Sequence, residues 1–306
     1  MAKVVYIAGS TRSGSTLLGS VLGQLEGVFF AGELNRVWHP RERTAGLCSC
    51  GKRESECEVW SAIFKDAFGG IERVDIDKMR KLRDRYTLSR NFPFVLIGFY
   101  RKKIINEIKD FIDYTRTLYY SIMKITNCHT IVDSSKSPLY AHLLQYILDV
   151  DFYVLHLVRD PRAVVFSWQR RKASPSVRGQ ILMPRLPLYH SALWWNAWNG
   201  MASLLGKYYF KNYKLIRYED LCGDLLCKIS EIIDFLNYDG KLHFADAHRI
   251  YLKKLHVLRG NPDRFKIGLV DISIDEQWKA NMKRLDKLMV TLLSFPLAHL
   301  YGYKVK

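Results

Sequence analysis

The stretch KVVYIAGSTRSGST, residues 3–16, constrains the fold of this chain more than any other. Val4, Val5, Tyr6 and Ile7 are β-branched or aromatic, and the run ends at Gly9, so residues 3–9 read as a short buried strand. Beyond it, STLLGSVLGQLEG (15–27) carries apolar residues at helical spacing and stops at glycine, which makes a helix. Between the two, Gly9 and Gly14 permit the backbone to curl, so that the amides of Ser13, Gly14, Ser15 and Thr16 point inward at the start of that helix. Such a nest binds a tetrahedral anion. A second strand, VFFAG (28–32), follows directly, and a βαβ opening implies a parallel sheet with right-handed crossovers.

The same alternation continues down the chain. HTIVD (129–133), DFYVLHLVRD (151–160) and YKLIRYEDL (213–221) read as strands. Helical patterns follow them: PLYAHLLQYIL, RAVVFSWQRRK and LLCKISEIIDFL. The expected class is therefore α/β, a P-loop-like open parallel sheet flanked by helices. Residues 60–124 are helical and basic without a convincing strand, and read as a helical insertion or cap within a single domain spanning 1–306. Another helical stretch surrounds residues 190–205. There is no internal repeat.

Charge is the unusual part of the composition. Forty-seven Lys and Arg against 30 Asp and Glu give a net +17 over 306 residues. Such a balance attracts polyanions: nucleic acid, acidic membrane, acidic glycan or a polyphosphorylated cofactor. The basic runs KMRKLRDR and YRKKI of the insertion are solvated helix faces, or a surface for an acidic or membrane-associated acceptor. The longest apolar runs, FVLIGFY (94–100) and LMVTLLSFPLAHL (288–300), fall short of the ~20 residues of a span, so a soluble, cytoplasmic protein is expected. Six cysteines are too sparse for a disulfide framework and fit a reducing compartment. Cys48, Cys50 and Cys57 cluster in CSCGKRESEC, with His39 as a remote fourth zinc ligand. The spacing lacks the paired C-x2-C knuckles of structural zinc sites, so the stretch reads as a local turn and no metal ligands are expected.

In an open parallel sheet the C-terminal ends of the strands share one rim, where ligands bind. Five polar groups should meet there: the loop around Arg12, Glu33 after the second strand, Lys136 in DSSKSP, Arg159 in RDPR, and Tyr218. The loop GSTRSGST matches the phosphate loop G-x-x-x-x-G-K-[ST] at Gly9, Gly14 and Thr16, with Ser15 in place of the lysine. Nucleoside triphosphatases need that lysine and Mg²⁺ to hold the β- and γ-phosphates. With cations drawn instead from Arg12 and Lys136, the loop suits a single 5′-phosphate bearing one transferable unit, without a metal.

At these residues the chain resembles the sulfotransferases that use 3′-phosphoadenosine-5′-phosphosulfate (PAPS). TRSGSTLL looks like the 5′-phosphosulfate loop of the tyrosylprotein-sulfotransferase-like and bacterial branches, and AGELNRVW like the segment carrying their catalytic glutamate. LHLVRDPRAVVFSW is similar to the 3′-phosphate motif, an arginine ending a strand with a serine eight residues on; RYEDL, RGNPDRF and DEQW look like downstream family segments. The resemblance implies transfer of a sulfuryl group to an acceptor hydroxyl by in-line attack, with Glu33 as base and Lys136 and Arg12 stabilising the transition state. It places Arg12, Ser13, Gly14, Ser15 and Thr16 at the 5′-phosphosulfate and Arg159 and Ser167 at the 3′-phosphate. Tyr218, Asn261 and Arg264 become further cofactor contacts. The acceptor stays open: a glycan, lipid, small metabolite or peptide. Two other readings compete. A P-loop-type small-molecule kinase needs the lysine that Ser15 replaces, and a nucleic-acid-binding protein has only the +17 charge in its favour, with no helix-turn-helix, RRM or zinc-finger pattern.

Overall fold

A computed structural model describes residues 2–39, 47–97, 101–170, 185–240, 242 and 244–304, the side chains of residues 101–103 excepted. Five parallel strands form its sheet: β1 (Lys3–Ala8), β2 (Val28–Gly32), β3 (Thr130–Lys136), β4 (Asp151–Val158) and β5 (Asn212–Arg217). They lie in the order β2-β3-β1-β4-β5. The second strand thus pairs with β3 rather than with β1, and the first crossover skips a position. Two further strands, β6 (Arg249–Leu252) and β7 (Gly268–Asp271), form a separate antiparallel pair that the sequence pattern does not announce.

The two-residue period of a strand explains where the core sits. Val4, Tyr6 and Ala8 face one side of the sheet and join Ile131 and Val154 in one apolar cluster. Val5 and Ile7 face the other and join Leu18, Val132, Leu155, Leu157 and Ile216 in a second. Because both faces are covered, the central strands are continuously buried.

The region read as an insertion consists of helices Glu58–Phe68, Ile76–Thr87, Phe92–Leu96, Arg101–Glu107 and Lys109–Thr126, with no strand among its described residues. Trp60, Ile63, Phe64, Met79, Phe111, Leu118 and Tyr119 sit in the same cluster as Val4 and Tyr6, so these helices cover one face of the sheet. Of the basic runs, KMRKLRDR lies on helix Ile76–Thr87, while Tyr100 and the side chains at 101–103 lie outside the described residues, as do Arg171 and Lys172 of RAVVFSWQRRK.

Element ends differ from the sequence expectation in informative ways. β3 runs three residues further, to Lys136, through a bulge opposite β1, and Lys136 adopts a left-handed φ of 69°. β5 stops at Arg217, and Tyr218 opens a short helix, Tyr218–Gly223. The first helix ends at Leu22, five residues early. The apolar run 288–300 belongs to helix Arg284–Leu300, which contains Pro296. No helix among the described residues is long and apolar enough to cross a membrane.

A close backbone approach fixes the start of the segment that carries Glu33. Leu258 pairs with the end of β2: its N–H donates to the Ala31 carbonyl (3.1 Å) and its carbonyl accepts from Glu33 N–H (3.2 Å). Gly32 lies between at φ 88°, where a Cβ would stand 1.8 Å from the Leu258 oxygen. Gly32→Ala should therefore lower the unfolding free energy by ~1–3 kcal/mol, since side chain and backbone cannot both keep their places. Chemical denaturation checks this; an unchanged midpoint and slope would show that the approach is not needed.

Candidate active site

The anion loop is built as its glycines require. Gly14, at φ 95°, caps helix Ser15–Leu22, and a Cβ there would lie 2.6 Å from the Tyr218 ring. The ring thus packs closely against the loop, and only glycine fits there. Arg12, itself left-handed at φ 66°, sets its guanidinium 4.8 Å from the Trp168 ring centre. Burial lowers its pKa, with the Glu33 carboxylate opposing that shift; a guanidinium stays charged throughout. Ser15 and Thr16 are buried at the head of the helix, and Ser13, within the loop, is 1% exposed.

Glu33 and Lys136 meet across the rim. Lys136 Nζ donates to Glu33 Oε1 at 2.6 Å and to the Ser134 carbonyl at 3.0 Å; Lys136 is 6% exposed and Glu33 8%. Arg36 adds a second cation at 3.3 Å from Glu33 Oε2. Burial pushes the carboxyl pKa up, but Lys136 and then Arg36 outweigh it and hold the group at about 2. Asp133 underpins the arrangement. It accepts from Tyr119 Oη, the Ser135 hydroxyl and the Ser135 and Leu34 N–H groups, while Ser135 Oγ accepts from Asn35 N–H at 3.0 Å. The segment carrying Glu33 is thereby tied to β3. Asp133 itself is pushed up to about 6 by burial, against those donors.

Arg159 ends β4 with its guanidinium 4.3 Å from the Tyr218 ring centre. Nη1 donates to the Arg12 carbonyl (3.2 Å) and Nη2 to the Asp275 carbonyl (3.0 Å), with the Asp275 carboxylate 3.3 Å away. Its Nε is buried with no hydrogen-bond partner among the described residues. Asp275 also holds Arg170 at 2.9 Å, so it sets two guanidinium groups side by side. Ser167 is buried on helix Pro161–Gln169, one turn before Arg170. On the opposite wall, Asn261 N–H donates to Thr16 Oγ1 at 3.2 Å. Arg264 turns inward instead: Nη1 donates to the Gly260 carbonyl at 2.6 Å, and burial lowers its pKa to about 10.

These groups surround one cleft of about 530 Å³. Arg12, Gly14, Ser15, Thr16, Glu33, Lys136, Arg159, Ser167, Tyr218 and Asn261 all line it, and every one of the five expected clusters reaches this rim. Ser13 and Arg264 do not line it. Ser13 is buried within the loop, and Arg264 braces the Gly260–Asn261 turn. Arg36, Trp168, Arg170 and Asp275 are among the lining residues that the sequence pattern does not single out. Arg36 and Arg170 each stand three residues after an expected site residue on a helical turn, Glu33 and Ser167, and that spacing was the available signal. Asp275, in DEQW, had none beyond its segment. Arg12, Arg36, Lys136, Arg159, Arg170 and Lys266 face the cleft against the carboxylates of Glu33, Asp263, Asp271 and Asp275, an excess of positive charge suited to a polyanionic ligand.

Comparison with known proteins points in the same direction. The model of a family described as the sulfotransferase family matches residues 5–241. The sulfotransferase domain from the Synechococcus PCC 7002 olefin synthase shares the fold with a TM-score of 0.57 at 20% identity, over 99% of this chain and 96% of that one. The sulfotransferase domain from the curacin biosynthetic pathway gives 0.56 at 17% identity, over 100% and 99%. No curated protein matches the sequence. Both structures speak for the fold, a five-stranded parallel sheet flanked by helices.

Proposed function

We propose that this chain, which belongs to the sulfotransferase family, moves a sulfuryl group from PAPS to an acceptor hydroxyl. The observation that carries the reading is the buried Glu33–Lys136 pair, 2.6 Å apart on the wall of the cleft that the lysine-free anion loop also lines. The residues present fit the donor. The loop offers amides at a helix start, the cleft carries surplus cations, and the buried Nε of Arg159 lacks a partner among the described residues.

In this reading the amides at residues 13–16, with Ser15 and Thr16, hold the 5′-phosphosulfate. Arg159, Ser167 and Arg170 hold the 3′-phosphate, and Leu17, Leu252, Val270 and Ile272 give the cleft an apolar wall for the purine. When bound, the donor supplies an activated sulfuryl group. Glu33 would take the acceptor's proton on a carboxylate oxygen as the acceptor oxygen bonds to sulfur and the bond from sulfur to the 5′-phosphate oxygen breaks, with adenosine 3′,5′-bisphosphate as the leaving group. Lys136 keeps that carboxylate ionised beforehand, and its ammonium, with one proton left beyond its bonds to Glu33 and Ser134, lines the same cleft as the loop where negative charge develops. Arg12 shares that task from within the loop. Ser15 speaks against a kinase of the P-loop class, because the cation that would grip a γ-phosphate is missing.

The test is transfer of labelled sulfate from PAPS to a panel of hydroxylated acceptors, with MgATP as the control donor. Transfer from MgATP alone would overturn the reading. Binding supplies a second check. Adenosine 3′,5′-bisphosphate should occupy one site per chain, and Arg159→Ala should weaken it by the ~1.5–3 kcal/mol of a charge-assisted hydrogen bond, seen by calorimetry. An unchanged dissociation constant would remove Arg159 from the 3′-phosphate.

A further inference from the structure

The cysteine-rich segment folds into an arrangement that its own spacing does not reveal. Cys48 and Cys57 are fully buried and Cys50 partly so, and the chain brings His256, some 200 residues on, against all three. His39, the imidazole nearer in sequence, is not part of the group. The four ligand atoms lie within 4.8 Å of one another. Cys57 Sγ is 3.6 Å from Cys48 Sγ and 3.3 Å from His256 Nδ1, and Cys48 Sγ is 4.0 Å from the same nitrogen.

We propose that Cys48, Cys50, Cys57 and His256 bind one zinc ion through three thiolates and an imidazole nitrogen. With Zn–S bonds of about 2.3 Å and Zn–N bonds of about 2.0 Å, a tetrahedral site has S···S edges of about 3.8 Å and S···N edges of about 3.6 Å. The separations among Cys48, Cys57 and His256, 3.6, 3.3 and 4.0 Å, lie close to those edges, and the Cys50 sulfur comes within 4.8 Å of the other ligand atoms. A disulfide does not match: the sulfurs of Cys48 and Cys57 are far beyond the about 2.05 Å of a bond. Three soft sulfurs and one imidazole select zinc among the common divalent ions. Binding releases the proton of each thiol, and four protein ligands leave no open position, so the ion is a support rather than a reactant.

The surroundings are built for such a support. Gly51 turns the chain at φ 91°, with its N–H donating to the Cys48 carbonyl (2.9 Å) and the Cys48 N–H to the Lys52 carbonyl (2.9 Å). Ser49 N–H donates to the Val257 carbonyl (3.0 Å), Val257 N–H to Ser49 Oγ (2.8 Å), and Trp60 Nε1 to the His256 carbonyl (2.7 Å). The metal would thus pin residues 256–258 to the cysteine turn. Those residues pair through Leu258 with Ala31 and Glu33 and lead into the turn whose Asn261 N–H reaches Thr16. A zinc clamp there holds the base and the anion loop in register.

The experiment is elemental analysis of the full chain purified without a histidine tag. About one zinc per chain is expected, released by a mercurial that caps the thiols. Cobalt-substituted protein should show the intense visible bands of a tetrahedral thiolate site. Cys57→Ala should lose the metal. Should that variant fail to fold, His256→Cys, which keeps four ligands, should retain it, and the wild-type cobalt spectrum stands independently. Folded wild-type protein that is metal-free after zinc supplementation, that carries iron instead, or whose intact mass is two hydrogens low from a Cys48–Cys57 disulfide would overturn the proposal. None of these readouts depends on sulfuryl transfer.

Discussion

Glu33→Gln should cut turnover by ~10²-fold or more while leaving adenosine 3′,5′-bisphosphate affinity unchanged. The substitution is nearly isosteric, and a glutamine oxygen can still accept from Lys136 Nζ, which now sits 2.6 Å from the carboxylate. What disappears is the capacity to take a proton. The pH dependence sharpens the test. Lys136 and Arg36 hold the Glu33 carboxyl at about 2, below its ordinary value, so the base is ionised throughout the working range. The kcat/KM profile should therefore show no acid limb from this group above pH ~3. The sign for stability is the same: a depressed pKa contributes stability above the unfolded value of about 4.3, lost as pH falls toward about 2. Turnover at the wild-type level in Glu33→Gln, with cofactor binding intact, would strike Glu33 from the mechanism.

Lys136→Met should be costly in two separable ways. Removing a preorganised cation from beside the reacting group lowers kcat by ~10²–10³-fold. It also strands the buried carboxylate of Glu33, and breaking a buried ion pair from one side costs ~3–5 kcal/mol. The left-handed φ of 69° adds nothing to the difference, because lysine and methionine pay the same backbone cost there. The double variant Glu33→Gln/Lys136→Met removes both charges and should regain most of the lost stability with none of the activity. Denaturation midpoints and single-turnover rates on the four proteins separate the effects. Full stability in Lys136→Met alone would mean that Arg36 suffices to neutralise the carboxylate.

The features legible in the residues are those that short-range physics controls. The strand-loop-helix at 3–16 is marked by β-branched residues, two glycines and a helical apolar period. The alternation of strands and helices then placed Glu33, Lys136, Arg159 and Tyr218 on one rim, because parallel strands all present their C-terminal ends to the same side. The family resemblance in TRSGSTLL, AGELNRVW and LHLVRDPRAVVFSW agrees with the family match over residues 5–241.

Other features rest on contacts between residues far apart in the chain. The strand order puts β3 between β1 and β2, and no local pattern specifies which parallel neighbour a strand takes. The bulge that carries β3 on to Lys136 exists because its neighbours β1 and β2 shift register there. Arg264 is tied to the Gly260 and Asn261 carbonyls of its own turn, while Arg159 is shared with Asp275, 116 positions away. The cysteine turn gains its imidazole from His256, across some 200 residues. Periodicity and spacing report what a residue does with its neighbours in sequence. Partners brought together by closing a long loop leave no mark there, because the burial that repays that loop's lost entropy is spread over a whole core of side chains.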